Sequence, residues 1–169
     1  MDYGRKFELA LAKVWASSGL NLVRMKITET GEERPCDERI DFNNFRVFNE
    51  LKSTGNIKFS IKQLKRHQLE SLYHWHFKFK SAIGLISIEF RRLDTVYIID
   101  ILTLIRLGAT MNSISSGDIE EVNHFKISKH DGDYALKYGF IKYLKGVHYD
   151  KYKREQKNKI DRRKKTRDN

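Results

Sequence analysis

Residues 37–52 read DERIDFNNFRVFNELK. Two apolar segments, RIDF (39–42) and FRVFNELKS (45–53), flank Asn43 and Asn44, residues that tolerate the positive φ of a tight turn. The segment therefore predicts a β-hairpin. At the end of its second strand Glu50 and Lys52 stand two residues apart, and in a strand such positions share a face. A carboxylate and an ammonium set side by side form either a surface ion pair or part of a site. Spacing alone does not decide, because Glu155-Gln156-Lys157 repeats the pattern in a solvated basic stretch.

Working outward, residues 5–18 place Phe7, Leu11, Val14 and Trp15 at helical spacing, with Gly19 as a stop. Residues 21–28 read as a strand, followed by a polar loop that Gly31 and Pro35 mark. On the other side, Ser60 and Gln63 have the form of a capping box. Ile61, Leu64, Leu69, Leu72, Trp75 and His76 trace one face of a helix over 61–78. Residues 82–90 and 95–101 are apolar, β-branched strands joined by a turn at RRLD. The order so far is α, β, β, β, α, β, β. Beyond it, LTLIRLG (102–108) predicts a short helix, SISSGD (113–118) a loop, and DYALKYGFIKYLKG (133–146) a helical or mixed segment. From 151 the composition becomes that of a solvated basic tail, which predicts one domain over 1–150 and a flexible arm over 151–169.

The 169 residues suffice for one domain with a real core. No run of about 18 apolar residues exists and the N-terminus lacks the form of a signal peptide, so the expectation is a soluble cytoplasmic protein with no membrane partner. The single Cys36 excludes an internal disulfide and a cysteine-based zinc site, and its expected role is packing. Of the net charge of +11, the last 19 residues carry ten basic and three acidic groups, or +7, which leaves +4 on residues 1–150. Both parts are basic, and an acidic polymer such as nucleic acid is the natural partner.

What separates Glu50 and Lys52 from the copy in the tail is their setting, because a loop upstream supplies Asp37 just after Pro35-Cys36. Asp37, Glu50 and Lys52 have the spacing of a P-D…(D/E)-x-K nuclease site. Phosphodiester hydrolysis requires neutralising an anion and making hydroxide near neutral pH. A hard cation on carboxylate oxygens supplies both, and Mg²⁺ prefers few protein ligands and several waters. Asp37 and Glu50 are the candidate ligands, with the backbone carbonyl of Leu51 as a third. Lys52 is the candidate to orient or deprotonate water and to stabilise charge on phosphorus. Asp41 rivals Asp37 for the aspartate role, since the hairpin would set it closer to Glu50.

The sequence resembles the nucleases of Holliday-junction resolution, both the archaeal resolvases and the bacterial RecU-type enzymes. Residues 37–52 align without a gap to their aspartate, hairpin and (D/E)-x-K unit, a register that favours Asp37 over Asp41. GRKFE (4–8) resembles their N-terminal helix with its glutamate, here Glu8. FSIKQLKRHQLESLYHW (59–75) is similar to the RecU segment that ends in a His-Gln pair, here His67-Gln68, and 81–101 resembles the next two strands. RecU-type proteins carry a long stalk ahead of the metal-site aspartate, whereas 28 residues separate Glu8 from Asp37 here, a compactness more like the archaeal or phage-encoded enzymes.

The resemblance implies an α/β fold of the restriction-endonuclease type, with a mixed central sheet flanked by helices and the site at one end of the hairpin. It implies Mg²⁺-dependent cutting of four-way DNA junctions, with Mn²⁺ able to substitute, and a homodimer to match the substrate's two-fold symmetry. In a phage-encoded enzyme the compartment would be the host cytoplasm. It implies a role for Gln68 near the scissile phosphate and for Glu8 as an outer metal ligand. Glu8 also has an ordinary reading, as a helix salt bridge with Arg5, Lys6 or Lys13. Arg24, Lys26 and Lys58 are candidates to border the cleft, with Lys62, Lys65, Arg66 and His67 along the helix, although charge runs are usually solvated faces. His74 and His76 read as structural, and Trp15 and Trp75 as core. The alternatives are a different nicking or restriction-like endonuclease of the same fold, or a non-catalytic basic DNA-binding module.

Overall fold

The computed structural model describes residues 2–25, 36–42, 45–130, 133–134 and 139–167. The chain divides into two units, 1–137 and 138–169. The first is built on a seven-stranded sheet in the order β1-β2-β3-β5-β6-β8-β9. Its strands are β1 (Asn21–Arg24), β2 (Glu38–Phe42), β3 (Phe45–Thr54), β5 (Ala82–Phe90), β6 (Thr95–Asp100), β8 (Phe125–His130) and β9 (Asp133–Tyr134). Only β3 and β5 pair in parallel, and the other neighbours are antiparallel. The mixed sheet flanked by helices is the architecture the family resemblance implied.

The hairpin of 37–52 forms β2 and β3, in a register that sets Phe42 opposite Phe45 and Glu38 opposite Asn49. The turn at Asn43 and Asn44 lies outside the described residues. Every residue of β5 and β6 is buried, which fits central strands covered on both faces.

Helix α1 (Tyr3–Ser17) is capped by Asp2, whose Oδ1 accepts the Arg5 amide at 3.1 Å, and the chain turns away at Gly19 with φ 71°. It buries Phe7, Leu11, Val14 and Trp15, the four residues whose spacing predicted it. Helix α2 (Arg66–Lys78) provides the crossover between β3 and β5 and stacks Trp75 on Phe48 at 4.8 Å. Because side chains alternate along β3, Phe48, Glu50 and Lys52 face α2, while Asn49 faces α1.

Three local expectations differ from the structure. The helix expected from 61 begins at Arg66. Residues Ile61–Gln63 form a single 3₁₀ turn, Ser60 makes no capping bond, and Leu64 and Lys65 are extended. The break turns Leu64 into the core, where it is buried, so Lys62, Lys65 and Arg66 do not share one helical stretch. The expected loop at 113–118 instead contains strand β7 (Ser113–Ser115), which pairs with β4 (Lys58–Ser60), and the start of helix α4 (Ser116–Glu120). Ser115 and Asp118 make a full capping box there, with Ser115 N–H on Asp118 Oδ2 at 2.7 Å and Asp118 N–H on Ser115 Oγ at 3.2 Å. Finally, the arm expected to be flexible is helical through Arg167, in helix α5 (Phe140–Arg167). Its Lys, Arg, Glu and Gln residues have good helix propensity, and no proline interrupts it. The helix expected near 102–108 is α3 (Ile101–Thr110), capped by Asp100.

Helix α2 approaches β5 so closely that a Cβ at Gly84 would lie 2.8 Å from the Leu72 carbonyl oxygen. Gly84 also donates its N–H to the buried His76 Nδ1 at 3.1 Å, which gives His76 the structural role its position predicted. Gly84→Ala therefore lowers stability by about 1–3 kcal/mol in urea denaturation, because the obstructing atom is backbone. An unchanged midpoint would show that α2 can lift from the sheet freely.

Candidate active site

The pairing of β2 with β3 ends at Glu38 and Asn49, whereas β3 continues to Thr54 along β5. From Glu50 onward, among the described residues, one edge of β3 has no strand beside it. Asp37, the residue before β2, occupies that gap with its side chain. Its Oδ2 accepts the N–H of Leu51 at 2.8 Å. The N–H and C=O of one strand residue point to the same edge, so the Leu51 carbonyl opens toward Asp37 as well.

Glu50 is fully buried on the α2 face. Its Oε1 accepts from Lys52 Nζ at 2.7 Å and from Gln68 Nε2 in the first turn of α2. Its Oε2 is buried with no hydrogen-bond partner among the described residues. Burial, followed by the negative charge of Asp37, pushes the Glu50 carboxyl up to about 7, and the Lys52 ammonium opposes the shift. Asp37 is itself buried, and Lys52 remains partly open to solvent. Cys36 packs beneath the pair and donates its thiol to the Glu38 carbonyl at 3.2 Å. Its pKa is pushed up to about 12, first by burial and then by the Glu50 charge, so it stays a neutral packing group.

Asp37, Glu50, Leu51, Lys52 and Gln68 thus come together. Asp41 does not. It lies opposite Arg46 in the hairpin register and pairs with Arg39 at 3.1 Å and Arg46 at 3.4 Å, as a charge cluster on the hairpin's outer part. Glu8 is half-buried on α1, in helical step with Leu11 and Trp15, on the helix that covers the face opposite Glu50. His67 is half-buried at the start of α2, while Lys58, Lys62 and Lys65 are exposed. Arg66 holds Glu70 in a surface pair at 2.7 Å. The Arg24 side chain and the whole of Lys26 lie outside the described residues.

One polar group escaped the sequence reading. On the α1 face, Glu38 is buried and its Oε2 accepts from Trp15 Nε1 at 3.1 Å and from Asn49 Nδ2 at 3.5 Å, while Ser87 donates to Asn49 Oδ1 at 2.9 Å. Successive acids, Asp37 and Glu38, therefore turn to different tasks. Alternation alone assigns them opposite sides but does not show that α1 would bury the second.

Comparison with known proteins bears on this geometry. The family model described as Recombination protein U (RecU) matches residues 42–149, more than half of the chain. The chain belongs to the RecU family. As a member of this family of Holliday junction resolvases it is an endonuclease. The matched segment contains Glu50, Lys52 and Gln68 and begins after Asp37. Among solved structures, Hjc of Archaeoglobus fulgidus, a Holliday junction resolvase from an archaeal hyperthermophile, superposes with a TM-score of 0.54 at 17% identity. The match covers 70% of this chain and 93% of that one, and it shows the PD-(D/E)XK fold. No curated protein sequence matches the chain. Among the described residues no helix is long and apolar enough to cross a membrane.

The raised pKa of Glu50 has a definite sign. A carboxyl that binds its proton more tightly when folded costs nothing below its ordinary pKa near 4.5. Its cost grows as the pH climbs from there to about 7 and is complete above that. In metal-free protein, Glu50→Gln therefore raises the thermal midpoint more at pH 8 than at pH 5. Equal gains at both pH values would mean that Glu50 is not held in the neutral form by its surroundings.

Proposed function

We propose that this RecU-family chain resolves four-way DNA junctions by Mg²⁺-dependent hydrolysis, one copy of a homodimer nicking each of two opposed strands. The observation that carries this reading is the buried pair Asp37 and Glu50, two acids side by side with one oxygen, Glu50 Oε2, unsatisfied among the described residues. Like-charged carboxylates in a dry place are stabilised by a cation between them.

Among the described residues no three His, Cys, Asp or Glu side chains converge. Two carboxylates and a backbone carbonyl fit Mg²⁺, which keeps most of its waters and takes few protein ligands. Asp37, Glu50 and the Leu51 carbonyl would hold it, whereas Glu8, on the helix over the opposite face, does not join them. When bound, the ion neutralises phosphate charge and makes water more acidic. Mn²⁺ accepts the same oxygen donors and would replace it.

Lys52 is the group that meets the reacting phosphate. Glu50 fixes its ammonium at 2.7 Å, where it orients the attacking water and balances charge growing on phosphorus. Gln68 holds Glu50 from the α2 side and reaches the same phosphate region. The exposed Lys58, Lys62, Lys65 and Arg66, together with His67, Arg24 and Lys26, contact backbone phosphates around the cut. The basic half of α5 adds sequence-independent affinity. Two-fold symmetry of a four-way junction calls for two sites in a symmetric dimer.

Synthetic four-way junctions, flaps and linear duplex, incubated with Mg²⁺ and resolved by strand-specific gels, test this reading. Junctions should be cut in symmetric pairs and duplex should be left largely intact. Duplex cut as fast as junction would replace resolution by a restriction-like activity, and no metal-dependent cutting of any substrate would leave a binding module. Asp37→Asn, Glu50→Gln and Lys52→Ala should each reduce cutting at least about 10³-fold while gel-shift binding of the junction persists. Changing Arg162, Arg163, Lys164 and Lys165 to Gln should weaken binding and flatten its dependence on salt, with cutting at saturating protein retained.

A further inference from the structure

Helix α5 buries one side only. Phe140, Tyr143, Leu144, Val147 and Lys151 are buried, and spacings of three and four residues put them on one face of the helix. A helix turns about 100° per residue, so the positions opposite that face are 141, 145, 149, 152 and 156. A solvent-facing line of this kind ordinarily carries charged and polar groups. Here it carries Ile141, Lys145, Tyr149, Tyr152 and Gln156. Ile141 is 43% exposed, Tyr149 57% and Tyr152 54%. Scattered singly, exposed apolar residues need no account, but these three are aligned on the most open line of the helix.

Cations accompany the rings. Lys142, Lys145 and Lys153 are exposed and lie on the same side of the helix, and Lys153 Nζ is 4.6 Å from the centre of the Tyr149 ring. The acids lie elsewhere. Asp150 stands one residue, about 100°, round from Tyr149, and Glu155 is half-buried toward the packed face. A second copy docked stripe to stripe would set lysine against lysine with no acid on the line to pair them. A nucleotide suits both features, because its base has a flat face for a ring and its phosphate a charge for an ammonium. Tyr152 and Lys153 lie outside the segment that the family model matches, which ends at Tyr149.

We propose that Tyr149 and Tyr152, with Lys145 and Lys153 beside them, bind single-stranded DNA by stacking on unpaired bases. The proposal rests on the nuclease reading only in taking DNA as the ligand. Residues three apart on a helix are neighbours, with about 5–6 Å between their Cβ atoms, so two successive bases that have left the stack can each meet a ring. Bases inside a duplex are covered by their neighbours, and an unpaired base gives up least to leave the stack. The stripe therefore selects open DNA, which charge alone does not. Every base has a π-face, so the selection is for an open strand and not for a sequence.

The test measures fluorescence anisotropy of a labelled single-stranded oligonucleotide and of a duplex of the same length, without divalent metal, so that no cutting enters. Tyr149→Ala and Tyr152→Ala should each weaken single-strand binding about 5-fold or more, because one base stack is lost. Neither should change the slope of log K against log salt, since no phosphate contact is removed, and duplex affinity should stay as in the unaltered protein. Tyr149→Phe and Tyr152→Phe keep the rings and should keep single-strand affinity. Lys153→Ala removes a charge and should lower the single-strand slope by about 0.7. Both tyrosines are exposed, so the variants should keep the thermal midpoint of the unaltered protein. Unchanged single-strand affinity in either alanine variant, an equal loss on duplex, or a loss in the Phe variants overturns the stacking stripe. Separation of the protein's copies by Tyr149→Ala or Tyr152→Ala in analytical ultracentrifugation would give the stripe to a second copy and overturn it too. Unaltered protein that binds no DNA overturns the nuclease reading and the stripe together. Duplex and junction binding with no single-strand binding overturns the stripe alone. Ring-dependent single-strand binding without any junction cutting overturns the resolvase reading alone.

Discussion

Two carboxylates buried side by side impose the constraint on which the rest of this structure depends. Asp37 and Glu50 would repel each other out of any flexible arrangement, so each is tied down by groups that other elements must deliver. The Leu51 amide fixes Asp37 because β3 outruns β2, and Lys52 and Gln68 fix Glu50 because α2 lies on that face. The fork of the hairpin, the parallel pairing of β3 with β5 and the close approach of α2 at Gly84 are parts of one solution. Even so, one oxygen of Glu50 has no hydrogen-bond partner among the described residues, a cost that the fold carries in its interior.

The opposite face of the same strands is built by contrary means. Glu38, Asn49, Trp15 and Ser87 form a buried polar chain whose hydrogen bonds tie α1 to β2, β3 and β5. Polar groups that complement one another in this way fix a single docking geometry for a helix. α1 is thereby set on the sheet by hydrogen bonds as well as by Leu11 and Val14. The face that holds the helix and the face that holds the charges are separated by one residue of register.

Much of this was legible in the sequence because the signals were local. Asn43-Asn44 between apolar segments specifies a hairpin, and the mostly apolar, β-branched 82–90 specifies a strand. The family register favours Asp37 over Asp41, and the two differ in their surroundings: Asp41 faces Arg46 in the ladder, whereas Asp37 sits where the ladder ends. What escaped depended on contacts between distant segments. The break at Leu64 and Lys65 exists because Leu64 is buried, which no periodicity reports. The stretch at 113–118 reads as a loop from its serines and glycine, but β7 gains regular structure by pairing with β4, a strand of three residues. Glu38 reads as a surface acid until Trp15 covers it. The helical course of α5 was hidden by a composition that suits both a solvated arm and a charged helix.

Gln68 carries a consequence of its own. Its Oε1 accepts the Lys65 N–H at 3.0 Å and starts α2, while its Nε2 holds Glu50. Lys65, whose ammonium cannot accept a hydrogen bond, leaves the helix only this half of a capping box. One amide therefore joins the nucleation of a helix to the charge state of the site. Whatever alters Glu50, whether a proton or an ion, is felt at the first turn of α2. The fraying of that turn becomes a built-in gauge of whether the centre is charged, legible in amide exchange without any substrate present.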